Sequence, residues 1–170
     1  RECGAPELVA AALHGRGTVA LQRDDLAEAA RHCEEALAAC PAGWYGADGT
    51  RMAILVTLGR IAEAAGDPAA AATRYRQVFT VRSGMLGFQV MAEAVDRLAA
   101  LALAGGDPER AATLLGTVLA LKLRPDLRGT ELAARIADAA RDRLGPDAYA
   151  AAVSRGAGLS TAAAYDLLRP

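Results

Sequence analysis

Small and apolar positions recur along this chain in three blocks with the same internal order. The first block runs Leu13, Arg16-Gly17, Ala20, Asp24-Asp25, Ala29, Cys33, Ala36 and Pro41. The second runs Leu55, Leu58-Gly59, Ala62, Gly66-Asp67, Ala71, Tyr75 and Val78. The third runs Val95, Leu98-Ala99, Ala102, Gly106-Asp107, Ala111, Leu115 and Val118. The blocks align without gaps, at a spacing of 42 residues and then 40. Apolar positions three and four apart inside each half-block predict helices, and a fixed spacing of whole blocks predicts a stack of repeated units.

Each block predicts a helix, a turn and a second helix. Small residues mark one face of the first helix: Gly17 and Ala20, Gly59 and Ala62, Ala99 and Ala102. They let a neighbouring helix come close. At the turn, Gly66 and Gly106 suit the left-handed conformation that ends a helix. The following Asp67 and Asp107 supply a carboxylate cap for the next helix, and Pro68 and Pro108 fall at its first position, where a missing N–H costs nothing. In the first block Asp25 and Glu28 have capping-box spacing. The pattern predicts paired helices at 5–22 and 26–39, 50–65 and 68–81, and 88–104 and 108–122. Pro125 and Gly129 break the pattern. A helix near 130–144 follows, then a short one from Pro146 to about Arg155, and a last one over 161–168 behind Ser160.

The small–small pair, the Ala after the turn and the larger residue four places on (Cys33, Tyr75, Leu115) resemble the tetratricopeptide repeat. Pro41 falls where that repeat closes its unit. The spacing exceeds the usual period of about 34 residues, and the surplus lies in the links Ala42–Gly49 and Ser83–Gly87. The aromatic near the start of the first helix is absent. The resemblance covers roughly residues 5–123. It implies an all-α fold, a right-handed α-α superhelix of three tetratricopeptide-like helix pairs with a C-terminal helical cap. The expected organisation is residues 1–124 for the repeats (about 5–41, 50–83 and 88–123) and 125–170 for the capping segment, which would cover the exposed face of the last repeat.

A narrower resemblance rests on the run from Leu101 through Gly105-Gly106-Asp107-Pro108-Glu109-Arg110 to Gly116. It is similar to the last repeat of large actinobacterial regulators, the ATP-binding LuxR-type and SARP-like proteins. Leu144-Gly145, Tyr149 to Ala152, Gly156 to Ser160 and Leu167-Leu168 are similar to their closing helices. In those proteins a nucleotide-binding module precedes the repeats and a DNA-binding domain sits at one end. The resemblance implies a signal-sensing or protein-interaction region of a transcriptional regulator. Some cyclases and kinases carry similar arrays. The chain starts at Arg1, and it is expected to be a piece of something longer.

Composition narrows the chemistry. Hydrophobic residues make up 53% of the chain and aromatics only 4%, so the apolar mass is Ala, Leu and Val, which favours close-packed helices. A net charge of −1 gives no global pull toward nucleic acid or an anionic membrane. There is no GxxxxGK[ST] loop, no helix-turn-helix in the tail and no clustered basic stripe. Direct ATP or nucleic-acid binding by this chain is therefore not expected. No stretch is apolar and long enough to span a bilayer and no signal-peptide pattern opens the chain, which leaves the cytoplasm as the expected location. The three cysteines have no CxxC spacing. Cys33 and Cys40, seven apart on one helix, lie about 10 Å apart along its axis, too far for an unstrained disulfide.

The resemblance to the tetratricopeptide repeat also implies a concave groove lined by the first helix of each pair. Spacings of three and four place Ala11, His14, Thr18 and Leu21 on that stripe, then Ala53, Val56, Arg60 and Glu63, then Glu93, Asp96, Ala100 and Leu103. The candidate groove residues are thus His14, Thr18, Leu21, Val56, Arg60, Glu63, Glu93, Asp96 and Leu103. Its acidic end would suit a positively charged peptide or small-molecule signal. The competing reading is a solvated face with Arg60 paired to Glu63 or a nearby carboxylate. Trp44 and Tyr45, in the first link, are candidate contact residues; the alternative is that Trp44 seals the seam between pairs, as the bulky Met85-Leu86-Gly87-Phe88 would in the second link. Glu93 and Asp96 form a carboxylate pair at i, i+3 but lack a convergent nucleophile or metal ligand, and His14 and His32 lack metal spacing. No cofactor and no catalytic residue is expected. The chain reads as a non-catalytic scaffold for a protein or peptide partner, with a free-standing adaptor that binds peptides or self-associates as the alternative. Dimerisation through the N-terminal face is also open.

Overall fold

The computed structural model describes residues 5–41, 45–81 and 87–170, without the side chain of Tyr45. These residues are all helical, with no strand among them. The elements are α1 (Pro6–Gln22), α2 (Leu26–Ala39), α3 (Tyr45–Ala64), α4 (Pro68–Gln77) followed by one 3-10 turn (Val78–Thr80), α5 (Phe88–Ala104), α6 (Pro108–Ala120), α7 (Glu131–Leu144), α8 (Pro146–Ala157) and α9 (Thr161–Leu168).

The turns inside the three blocks share one geometry. Asp24, Gly66 and Gly106 take positive φ of 62°, 77° and 84°. The next residue's N–H reaches back five residues, from Asp25 to Ala20 O, Asp67 to Ala62 O and Asp107 to Ala102 O, at 3.0, 2.9 and 2.9 Å. This closes each first helix in a Schellman motif. The same three Asp side chains then accept the N–H of Glu28, Ala70 and Arg110 at 3.0, 2.8 and 2.9 Å, capping α2, α4 and α6. The expected capping box at Asp25 forms only its forward half. Asp25 N–H already donates to Ala20 O, and the Glu28 carboxylate turns instead to His32 and Arg31. Lys122 (φ 53°) closes α6 the same way, with Leu123 N–H on Val118 O at 2.9 Å.

Helix α3 starts five residues before the predicted 50. Gly46 and Gly49 weaken helix propensity there, but Ala47 and Asp48 are buried, and burial of that turn outweighs the glycine cost. Asp48 also sits in the first turn of α3, where a carboxylate opposes the positive end of the helix dipole.

The chain divides into two units, residues 1–90 and 91–170. The division falls between the second and third pairs, whereas the sequence suggests a boundary after residue 124. In the first unit α1 packs on α2, α3 on α4, and α2 and α1 both lie against α3. The small residues have specific partners. A Cβ on Gly17 would run into Cys33 Sγ, and one on Gly59 into the ring of Tyr75. Ala29, Cys33, Ala36 and Cys40 join Ile54, Leu58 and Ile61 in one buried cluster.

In the second unit α6 lies against both α7 and α8, which explains why the third block and the tail go together. The α6–α8 contact is backbone on backbone. A Cβ on Gly116 would strike Val153 O, and one on Gly156 would strike Thr113 O. One buried carboxylate ties helix α5 to the segment that follows α6. Asp96, 1% exposed, receives two hydrogen bonds of 2.7 Å from the Arg124 guanidinium and one of 2.9 Å from Thr130 Oγ1. Arg124 also donates to Asp126 O and Leu127 O, and Thr130 Oγ1 caps α7 by accepting Ala133 N–H. One buried ion pair thus ties α5, the 121–130 segment and the start of α7. Arg124 makes four hydrogen bonds in all, two of them bidentate to the carboxylate, and such hydrogen bonding is the condition under which a buried pair is tolerated.

Candidate binding surface

The first-helix stripe is partly open and partly closed in the structure. In the first unit, His14 Nε2 lies 2.8 Å from Thr57 Oγ1, linking α1 to α3. The Thr57 hydroxyl donates to Ala53 O at 3.0 Å, so the His14 nitrogen is the donor in this contact. Burial holds the His14 imidazole below its ordinary value and keeps it neutral. Thr18 directs its hydroxyl to His14 O at 3.0 Å. Leu21 packs against the buried cluster. Arg60 is half-buried and makes no ion pair among the described residues, so the expected pairing with Glu63 is not what holds it. Glu63 is half-buried as well.

Two candidate groove residues are not open to a ligand. Val56 is 4% exposed, because α3 is enclosed by α1 and α2 on one side and α4 on the other. Asp96 is buried under Arg124 and Thr130 in the second unit, so it is an internal anchor and not the acidic end of a groove. Its pairing with Glu93 into a two-carboxylate site fails for the same reason. Glu93 is half-buried near Arg97, at 4.0 Å, while Asp96 is held by Arg124 and Thr130. Leu103 is half-buried, and its carbonyl accepts Arg143 Nη1 at 2.9 Å. Trp44 lies outside the described residues, as does the Tyr45 side chain. Met85 and Leu86 lie outside them too, so neither link enters the surface described here.

Thr57, Arg124 and Thr130 complete these contacts and are not evident from the sequence. Thr57 is 43 residues from His14, and Arg124 is 28 residues from Asp96. Polar residues in a loop after a helix are ordinary, and only the folded chain shows which buried group they answer.

Among the described residues no group of three or more His, Cys, Asp or Glu side chains could hold a metal ion. No helix is long and apolar enough to cross a membrane. Cys33 and Cys40 are buried free thiols. Burial, with the neighbouring Glu34 charge adding to it, pushes the Cys33 thiol up to about 11, so it is protonated at neutral pH and acts as a small apolar group. A depression of about 670 Å³ does not lie on the predicted stripe. It opens on the outer side of α1 and α2, lined by residues that include Arg16, Val19, Arg23 and His32.

A family model for the tetratricopeptide repeat matches residues 8–83, which span the first two helix pairs. No curated protein and no solved structure matches the chain.

Proposed function

We propose that this chain is a non-catalytic interaction scaffold that holds a protein or peptide partner. The observation that carries this reading is the match of residues 8–83 to a repeat whose general role is protein binding, together with the regular capped pairs that build it. The open part of the stripe in the first unit supplies the contact: Arg60, with His14 and Thr18 beside it and Leu21 at the edge. In this reading Arg60 meets a carboxylate or carbonyl of the partner, and His14 and Thr57 fix the helices that present it. In the second unit Glu93 and Leu103 are the open members.

The proposal extends to context. The likeness of Leu101–Gly116 and of the closing helices to actinobacterial regulators supports a place as the signal-sensing or protein-interaction region of a larger bacterial transcriptional regulator, working in the cytoplasm. A small-molecule signal or a homodimer is compatible with that role. A free-standing adaptor is the rival.

The decisive experiment is affinity capture with the intact chain, followed by the Arg60→Glu and Glu93→Lys variants. Specific capture that is lost in Arg60→Glu supports the groove. Capture that neither variant changes removes the groove from the proposal. For the regulator context, the reading frame around the chain must encode a nucleotide-binding module or a DNA-binding domain, and a frame with neither leaves the adaptor.

A further inference from the structure

Among the described residues no helix packs on the outer face of α1, and the molecule itself shows how such a seat is filled. Shifting the second pair back by 42 residues puts α3 on α1 and α4 on α2. On α3, Ile54, Leu58 and Ile61 are buried in the cluster that includes Ala29, Cys33 and Ala36 of α2. The matching positions of α1 are Ala12, Arg16 and Val19, and all three are exposed. Leu8, Val9 and Val19 are 68%, 49% and 45% exposed, three of the four large apolar side chains that stand out at the surface among the described residues. Ala12 and Val19 line the depression of about 670 Å³ between α1 and α2, and Leu8 lies one helical turn before Ala12 on α1.

The charge around this seat is directional. Arg16 on α1 and Arg23 just after its end line the depression and make no ion pair among the described residues. The carboxylates on the same side are already engaged. Asp25 caps α2, and Glu28 contacts Arg31 and His32. The site also holds a buried polar group with an unused nitrogen. His32 is 2% exposed, and its Nδ1 has no hydrogen-bond partner, with Glu35 Oε2 at 3.9 Å. His32 occupies the position 42 residues before Arg74. Arg74 is the residue of the second pair that bonds the incoming α2, through Glu34 Oε1 at 2.5 Å.

We propose that the α1–α2 outer face binds an acidic amphipathic helix presented by another protein, seated as α2 is seated on α3 and α4. The helix lays a stripe of small and aliphatic residues on Ala12 and Val19. Its carboxylates answer Arg16 and Arg23, as Glu34 answers Arg74. The inference shares with the proposed function the premise of an interaction scaffold, but it uses the opposite side of α1 from Arg60.

The test uses the intact chain and a labelled helical peptide with the sequence of residues 25–40, carrying Cys33→Ala and Cys40→Ala. This peptide has four carboxylates against one arginine and is the helix type that the molecule docks on itself. Fluorescence anisotropy should show saturable binding with a Kd of about 10–100 μM, the weak range of a single short helix. Binding should weaken about tenfold in Arg16→Glu/Arg23→Glu, in Val19→Asp, and for a peptide with all four carboxylates replaced by amides. Arg60→Glu should leave it unchanged, which separates this face from the groove. All three substituted positions of the chain are exposed, so the fold should persist, and circular dichroism checks it. Absence of saturable binding overturns the proposal. So does equal affinity for the acidic and neutral peptides. A concentration-dependent dimer in sedimentation equilibrium that Val19→Asp abolishes also overturns it, and assigns the face to a second copy of the chain.

Discussion

The two units use the same turn and different glue. Asp25 and Asp67 in the first unit and Asp107 in the second cap their helices identically, behind identical Schellman closures. Packing then diverges. In the first unit two closely packed glycines receive a side chain: Gly17 receives Cys33 and Gly59 receives Tyr75. In the second unit Gly116 and Gly156 bring two backbones together, and a buried Asp96–Arg124 pair fixes α5. A side chain inserted in a notch can be exchanged for one of another shape. Two apposed backbones and a buried ion pair allow no such exchange. The family model for the tetratricopeptide repeat matches residues 8–83, which lie within the first unit.

The largest test of this contrast is Asp96→Ala. It leaves the Arg124 guanidinium, 10% exposed, without its carboxylate, and should cost about 3–5 kcal/mol in urea unfolding. Hydrogen exchange should show the loss confined to residues 91–170; equal loss of protection in α1 and α2 would break the two-unit description. Next is Gly156→Ala, expected to cost about 1–3 kcal/mol because its Cβ meets Thr113 O and Gly116 Cα, which are backbone. No side-chain truncation should rescue it. Gly17→Ala should fall in the same range but be relieved by roughly 1 kcal/mol in the Cys33→Ala background, where the colliding sulfur is gone. A double-mutant cycle with no coupling between positions 17 and 33 would remove the side-chain-in-notch account. Cap removal is smaller and should be shared: Asp67→Ala and Asp107→Ala should each cost about 1 kcal/mol in thermal unfolding, one in each unit.

The smallest effect is a pH dependence specific to the first unit. Burial lowers the folded-state value of His14 from 6.5, so the unfolded chain takes up the proton first. The stability that neutral His14 permits is complete above pH 6.5 and is lost as pH falls from there through the lowered folded value. His14→Gln should flatten that segment of a stability-versus-pH curve. An unchanged curve would show that the His14 site is hydrated and not enclosed.

Local rules made the helices legible. Every predicted helix is found, and the ends of α2, α5 and α9 match to the residue, because capping Asp and Ser, N1 prolines and helix-ending glycines act within a few residues of themselves. The early start of α3 was hidden because two glycines argue against it and only the burial of Ala47 and Asp48 argues for it. The candidate groove was legible as a stripe but not as a surface. Periodicity assigns a residue to a face, and whether that face meets solvent depends on what lies over it, as Val56 and Asp96 show.

The sequence alone determined the helices, their caps, the turns between them and the order in which small residues face large ones, since these depend on contacts within about five residues and on a repeat that states itself three times. Tertiary structure alone decided that the third pair joins the tail, that Asp96 is an anchor and not a ligand-facing acid, and that α1 keeps an outer face open among the described residues, with Arg16 and Arg23 making no ion pair there. The Asp96 anchor rests on partners 28 and 34 residues away. No local propensity encodes which distant group will arrive, and the desolvation of a buried charge becomes a constraint only once the helices have closed around it.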